Sequence, residues 1–303
     1  MVRERPGGIK NRLVCRTTER YNRFMQKTVR APIVAGAFYP ATPDALRTAV
    51  ASLFGGPVPR SDRPLGASVG LIVPHAGYPY SGGVAASGYA QVATLGRPEA
   101  VIVLGANHTG LGAPLSLSGD AAWETPLGRS PVDGRLVARL TDAGIPTSDD
   151  AFVREHSIEV QLPLIQSIWG TDLPIVPICV MSAPRSSLRD AVEAIAGAIA
   201  SSPLLIVASS DFTHYEPDAT ARELDRVALA PIRAVDADEF ERISRERRLS
   251  ICGAAAIQVL LDLCRRYGAK CGRLLQYATS GDATGDRSAV VGYASVLFET
   301  EGS

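Results

Sequence analysis

The four histidines of this 303-residue chain are His75, His108, His156 and His214. Imidazole both ligates transition metals and moves protons near neutral pH. Three of the four follow short runs of β-branched and small apolar residues. Leu71–Val73 leads through Pro74 into His75, Val101–Leu104 into Gly105-Ala106-Asn107-His108, and Leu204–Ala208 into Ser209-Ser210-Asp211-Phe212-Thr213-His214. Such runs, bounded by glycine, proline or polar turns, predict strands. Open α/β sheets bind ligands beyond the carboxyl ends of their strands, where the loops converge. The placement therefore predicts one polar, metal-binding crevice shared by the histidines.

Cys252 belongs to the same expectation. Ser250-Ile251-Cys252-Gly253-Ala254 opens a strongly helical segment, and a helix start favours the thiolate, the form that ligates metal or attacks electrophiles. Cys179, within a strand run, and Cys264, within a helix, read as small core hydrophobes; Cys15 and Cys271 carry no signal. His156 lies in Glu155-His156-Ser157-Ile158-Glu159. If that stretch is helical, Glu155 and Glu159 share a face, and His156 precedes Glu159 by three residues. The spacing is not the His-Glu-x-x-His zinc signature. It leaves His156 three roles: a ligand, a partner of the ligands, or a substrate contact. Tyr78, Tyr80, Asn107 and Trp123 lie near the histidines in sequence and are candidates for the pocket wall.

The elements that must position these residues alternate. Beyond the runs already named, Ile175–Val180 and Val290–Leu297 read as strands. Helices are expected over Ala45–Phe54, Gly82–Leu95, Asp133–Ala143, Ser187–Ala200, Ala219–Val235 and Gly253–Tyr267. Strands alternating with helices of this length predict a layered α/β sandwich, with a central mixed or mostly parallel sheet flanked by helices. No linker or repeat interrupts residues 31–303, so one domain is expected there. Residues 1–30 carry nine Lys+Arg and two Glu, a net +7 that leaves −7 for the rest. They read as a basic extension without ordered structure, with Met25 as a possible functional start. A formal charge of +0 and 46% hydrophobic residues describe an ordinary globular protein, with no global call for nucleic acid or membrane. Five irregularly spaced cysteines argue against a disulfide framework and for a reducing cytoplasm.

Taken together, the motifs resemble the Memo family, which is similar in fold to the class III extradiol dioxygenases. The matching segments are Pro32-Ile33-Val34-Ala35-Gly36-Ala37-Phe38-Tyr39-Pro40, Pro74-His75-Ala76-Gly77-Tyr78, Leu104-Gly105-Ala106-Asn107-His108, Thr125-Pro126-Leu127-Gly128, Glu155-His156-Ser157-Ile158-Glu159, Ser209-Ser210-Asp211-Phe212-Thr213-His214, Ile251-Cys252-Gly253 and Thr279-Ser280-Gly281-Asp282. The resemblance implies a metal site of two histidines and a cysteine, falling on His75, His108 and Cys252. It implies iron as the ion, with copper or zinc as alternatives. His214 matches the dioxygenase acid/base position, and Asp211 precedes it by three residues, placed to orient it or a metal-bound water. His156, Glu155, Glu159, Tyr78, Tyr80 and Asn107 fall around that site. Memo-family proteins of microbes often occur with a radical-SAM protein, which implies such a partner system.

One departure limits the inference. The dioxygenases use two histidines and a carboxylate; here a thiolate takes the carboxylate's place, so aromatic ring cleavage does not follow from the fold. The resemblance implies a metal-dependent oxidoreductase whose substrate is not specified. The alternative is a non-catalytic protein that binds iron or copper, or a small-molecule or peptide partner. Metal-free chemistry with Cys252 as nucleophile and His214 or His75 as base is a third reading, and it has no nucleophile motif behind it.

Overall fold

A computed structural model describes residues 28–199 and 202–301. The strands, in chain order, are β1 (Val29–Arg30), β2 (Val69–Val73), β3 (Val101–Ala106), β4 (Leu115–Leu117), β5 (Ala122–Thr125), β6 (Gly128–Pro131), β7 (Ile175–Val180), β8 (Leu205–Ser209), β9 (His214–Glu216), β10 (Arg273–Thr279) and β11 (Val290–Glu299). The helices are α1 (Pro43–Leu53), α2 (Gly83–Leu95), α3 (Gly134–Asp142), α4 (Leu162–Trp169), α5 (Arg185–Ile199), α6 (Asp218–Arg233), α7 (Ala237–Glu246), α8 (Ala254–Arg266) and the short α9 (Ser280–Thr284).

The main sheet runs β10-β11-β2-β8-β3-β7-β4, and β9 pairs with β11. Its centre, β2, β8, β3 and β7, is parallel. Strands β4, β10 and β11 join antiparallel, so the sheet is mixed. The four central strands are buried at every residue. Strands covered on both faces have no need of alternation, which is why they read as continuous apolar runs.

Register matters more for the site than topology alone. Val73 of β2 and Gly105 of β3 both pair with Ser209 of β8. Three adjacent strands therefore end at one level, and the loops carrying His75, His108 and Asp211 leave side by side. Helices cover both faces. Gly88 of α2 sits so close to Leu71 and Val73 that a Cβ there would touch them, whereas Gly70 of β2 faces Cys264 of α8. Helix α8 also packs on β3 and β8, and α5 and α7 pack beside it.

The expected strands and helices are all present, with ends shifted by at most two residues. The sequence pattern does not reveal β4, β5, β6, β9, β10 or α7. The first four are three or four residues long, and β10 is an edge strand without clean alternation. A second sheet, β1-β5-β6, forms beside the first. Val29 and Arg30, which composition assigns to the extension, form β1 and pair with Ala122 and Trp123. The guanidinium of Arg30 lies 4.4 Å from the centre of the Trp123 ring, which anchors the strand. The expectations for residues 1–27, including Cys15, lie outside the described residues. No described helix is long and apolar enough to cross a membrane.

Candidate metal centre

The approach of the three loops depends on two glycines. A Cβ on Gly105 would lie 2.6 Å from Ser157 Oγ and run into the Ile158 side chain. Only glycine there lets the 155–158 segment reach the end of β3. Gly253 would meet Ser209 O at 2.7 Å, and its missing side chain brings Cys252 against the end of β8.

His75 is buried and held from both ends. Its backbone N–H donates to Asp211 Oδ1 at 2.8 Å, and its Nδ1 lies 3.0 Å from Ser209 Oγ. Ser209 gives its one hydroxyl proton to Ser157 O at 2.7 Å and accepts from Gln161 Nε2 at 2.8 Å. Its remaining lone pair must therefore accept from His75 Nδ1–H. That assigns the tautomer and leaves the His75 Nε2 lone pair free. His108 is arranged in the same sense. Its Nδ1–H donates to the Glu155 carboxylate at 3.0 Å and its backbone N–H donates to Glu155 Oε2 at 2.8 Å. An imidazole whose Nδ1–H is held by a carboxylate or hydroxyl presents Nε2 as a ligand.

His156 completes a cluster. One donor atom from each of His75, His108 and His156 lies within 4.8 Å of the other two. The His156 ring is nearly parallel to His108, at 4.8 Å, and edge-on to His75, at 5.4 Å. The Glu155–Glu159 stretch is not helical. It is an irregular turn ahead of a 3₁₀ turn at Glu159–Gln161, because Glu155 Oε1 accepts the N–H groups of His156 and Ser157. The two carboxylates consequently face different partners rather than sharing a face. Glu159 accepts from Ile33 N, Val34 N and Tyr39 Oη and so ties down the segment after β1.

Cys252 Sγ lies 3.2 Å from His75 Nε2 and accepts from Asp211 N at 3.2 Å. Two donors sharing an ion at ordinary M–N and M–S bond lengths of about 2.0 and 2.3 Å sit roughly 3–3.6 Å apart, so this spacing suits a common ion. Asp211 spends its carboxylate on His75 N and does not hold His214. The Nδ1–H of His214 instead donates to Ser250 O at 2.7 Å, and its backbone N–H donates to Ser250 Oγ. Asn107 shapes its own turn, accepting from Thr109 N and Gly110 N. Tyr78 is buried and donates to Val160 O, Tyr80 is 48% exposed, and Trp123 is a core residue beneath Arg30.

Charge follows burial. Burial, with His108 nearby, lowers His75 to about 3, and burial, with His75 nearby, lowers His156 to about 4. Both are neutral at pH 7 and available as ligands. For His108, burial is outweighed by its hydrogen bond to Glu155, which raises it. Glu155 shows the converse: burial opposes its charge, yet His108 and the backbone N–H groups bring it down to about 2. Cys252 departs from the expectation for a helix start. Burial first, and the Asp211 carboxylate second, push its thiol well up. A thiolate at this position is favoured when a cation shares the pocket.

Several supporting residues are not among the expected site residues. Ser209 and Gln161 fix the His75 tautomer. Arg30 donates to Glu155 O at 2.7 Å, and the Phe38 ring lies 4.7 Å from His156. Ser209 is visible in the sequence as the last residue of a strand run; Gln161, Arg30 and Phe38 act across long sequence separations that spacing does not reveal. Two imidazoles held through Nδ1–H, a third imidazole and a thiol form a donor set suited to a transition metal and poorly suited to calcium or magnesium.

The Memo-like protein family model matches residues 30–297. A MEMO1 family protein of Desulfurococcus amylolyticus is 42% identical over 281 residues, covering 89% of this chain and 98% of its own length. Those of Methanopyrus kandleri and Thermotoga neapolitana are each 39% identical and cover 89% of this chain, with 98% and 99% of their own lengths. Among solved structures, an uncharacterized protein of Escherichia coli K12 shares the fold at a TM-score of 0.50. It is 15% identical and covers 77% of this chain and 100% of its own. On the extent of these matches, the chain belongs to the Memo family.

Proposed function

We propose that the chain holds one transition-metal ion through Nε2 of His75 and Nε2 of His108, with Cys252 as thiolate ligand, and uses it in redox chemistry. The observation that carries this reading is the fixed pair of imidazole tautomers: Ser209 and Glu155 each take an Nδ1–H and leave two Nε2 atoms facing one cluster. Iron is the ion we favour, with copper or zinc as alternatives. When bound, iron or copper would supply electron transfer and polarise a ligand, whereas zinc, which has no redox chemistry, would only polarise it. The protein's own residues orient and exchange protons. Ser250 leaves His214 Nε2 free to take or give a proton, and the Asp211 carboxylate fixes the His75 backbone. In this reading the protein is cytoplasmic and works with a radical-SAM partner, which co-purification from the native host would test.

Metal analysis of tag-free protein tests the centre. Wild type is expected to bind one equivalent, and His75→Ala and His108→Ala to lose it. Equal loading of all three proteins would refute the reading. The alternative, storage of the ion without turnover, is separated by oxygen consumption. Sustained substrate-dependent uptake excludes storage alone.

A further inference from the structure

We infer that His156 is a further ligand of the same ion, recruited by divalent ions that take four donors and left out by copper(I). This rests on the reading that His75 and His108 hold a metal. Three observations point to it. First, the donor atoms of His75, His108 and His156 already lie within 4.8 Å of one another. Donors on one ion sit roughly 3–3.6 Å apart, so the cluster has to contract by only about 1–2 Å to share an ion.

Second, the His156 ring has no hydrogen-bond partner among the described residues. The carboxylate nearest it, Glu155 Oε1, is 3.9 Å from Nδ1, beyond hydrogen-bonding range. By contrast, the Nδ1 atoms of His75, His108 and His214 are all engaged. An imidazole 22% exposed, with neither nitrogen held by a protein group among the described residues, leaves both nitrogens to solvent or to a ligand.

Third, the ring cannot swing away. Phe38 and His108 lie against it, and its backbone N–H is held by Glu155. Cys252 is outside the three-histidine group and bonds His75 alone among them. The pocket thus offers two nitrogens common to any ion, one sulfur and one spare nitrogen. Copper(I) prefers soft sulfur and few ligands, whereas zinc is almost always four-coordinate and accepts both imidazole and thiolate. Zinc is therefore expected on His75, His108, His156 and Cys252, and copper(I) on His75, His108 and Cys252.

The test uses full-length tag-free protein, stripped of metal and reloaded with zinc or copper(I). Affinities come from competition with a chelator and ligand sets from X-ray absorption. Zinc-loaded wild type should show three imidazoles and one sulfur. His156→Gln should bind zinc at least about ten-fold more weakly, the size expected even for a lost outer partner, with copper(I) affinity unchanged. Two imidazoles in the zinc-loaded wild type would overturn the inference without any variant. Unchanged zinc affinity in a folded His156→Gln protein would also overturn it. A His75→Ala protein that keeps full affinity for both metals would instead overturn the underlying reading.

Discussion

Replacing Glu155 by glutamine removes a charge from a buried carboxylate that organises two histidines at once. Its oxygens accept from His108 N at 2.8 Å, His108 Nδ1 at 3.0 Å, His156 N at 2.8 Å and Ser157 N at 2.7 Å. Glutamine has one carbonyl oxygen. Turned towards His156, Ser157 and His108 Nδ1, it leaves its amide NH₂ facing the His108 N–H, donor against donor. One orphaned buried donor costs about 1–3 kcal/mol, and the lost charge weakens the other bonds. The metal-free variant should therefore be destabilised by roughly 2–4 kcal/mol. With the His108 ring less firmly aimed, metal affinity should fall about 10–100-fold. Urea unfolding measures the first effect, and zinc titration against a competing chelator the second. A folded Glu155→Gln protein binding zinc within about three-fold of wild type, when His108→Ala does not bind it, would refute this role for the carboxylate.

The metal-free protein should lose stability as pH falls from about 6.5 towards 4. His75 and His156 are lowered by burial from a usual 6.5 to about 3 and about 4, so the unfolded chain takes up their protons first, at up to ~1.4 kcal/mol per pH unit for each group. His108, which is raised, acts in the opposite sense and loses its contribution as pH climbs through its folded value; flat urea midpoints between pH 7 and 5 would contradict the assignment of the first two as neutral. Arg30→Ala should cost about 2 kcal/mol by removing the Trp123 stack and the bond to Glu155 O, with Arg30→Lys recovering only part, and an unchanged urea midpoint would count against it. Gly105→Ala must displace Ser157 and Ile158, so a loss of about 1–3 kcal/mol together with weaker metal binding is expected in the same two assays.

The parts of the site carried by regular elements are readable from sequence. Strands buried on both faces announce their ends, so the apolar runs alone place the loops bearing His75, His108 and Asp211 at one edge of the sheet. The Ser209 register then shows why they meet. The irregular parts are less legible. His156 owes its place to Glu155 capturing two backbone N–H groups, which turns an apparent helix start into a bend, and no periodicity encodes that. Arg30 resembles one more cation in a basic extension, yet the Trp123 ring that fixes it lies about ninety residues away. Cys252 shows the limit of a local rule. It does sit just ahead of a helix, but burial beside Asp211 outweighs the helix in setting its charge.

Crystals soaked anaerobically in iron(II), with anomalous scattering recorded at the iron edge, test the central claim most directly. The account predicts a single strong peak within bonding distance of Nε2 of both His75 and His108. No peak between those two nitrogens, in crystals that take up iron elsewhere, would contradict it.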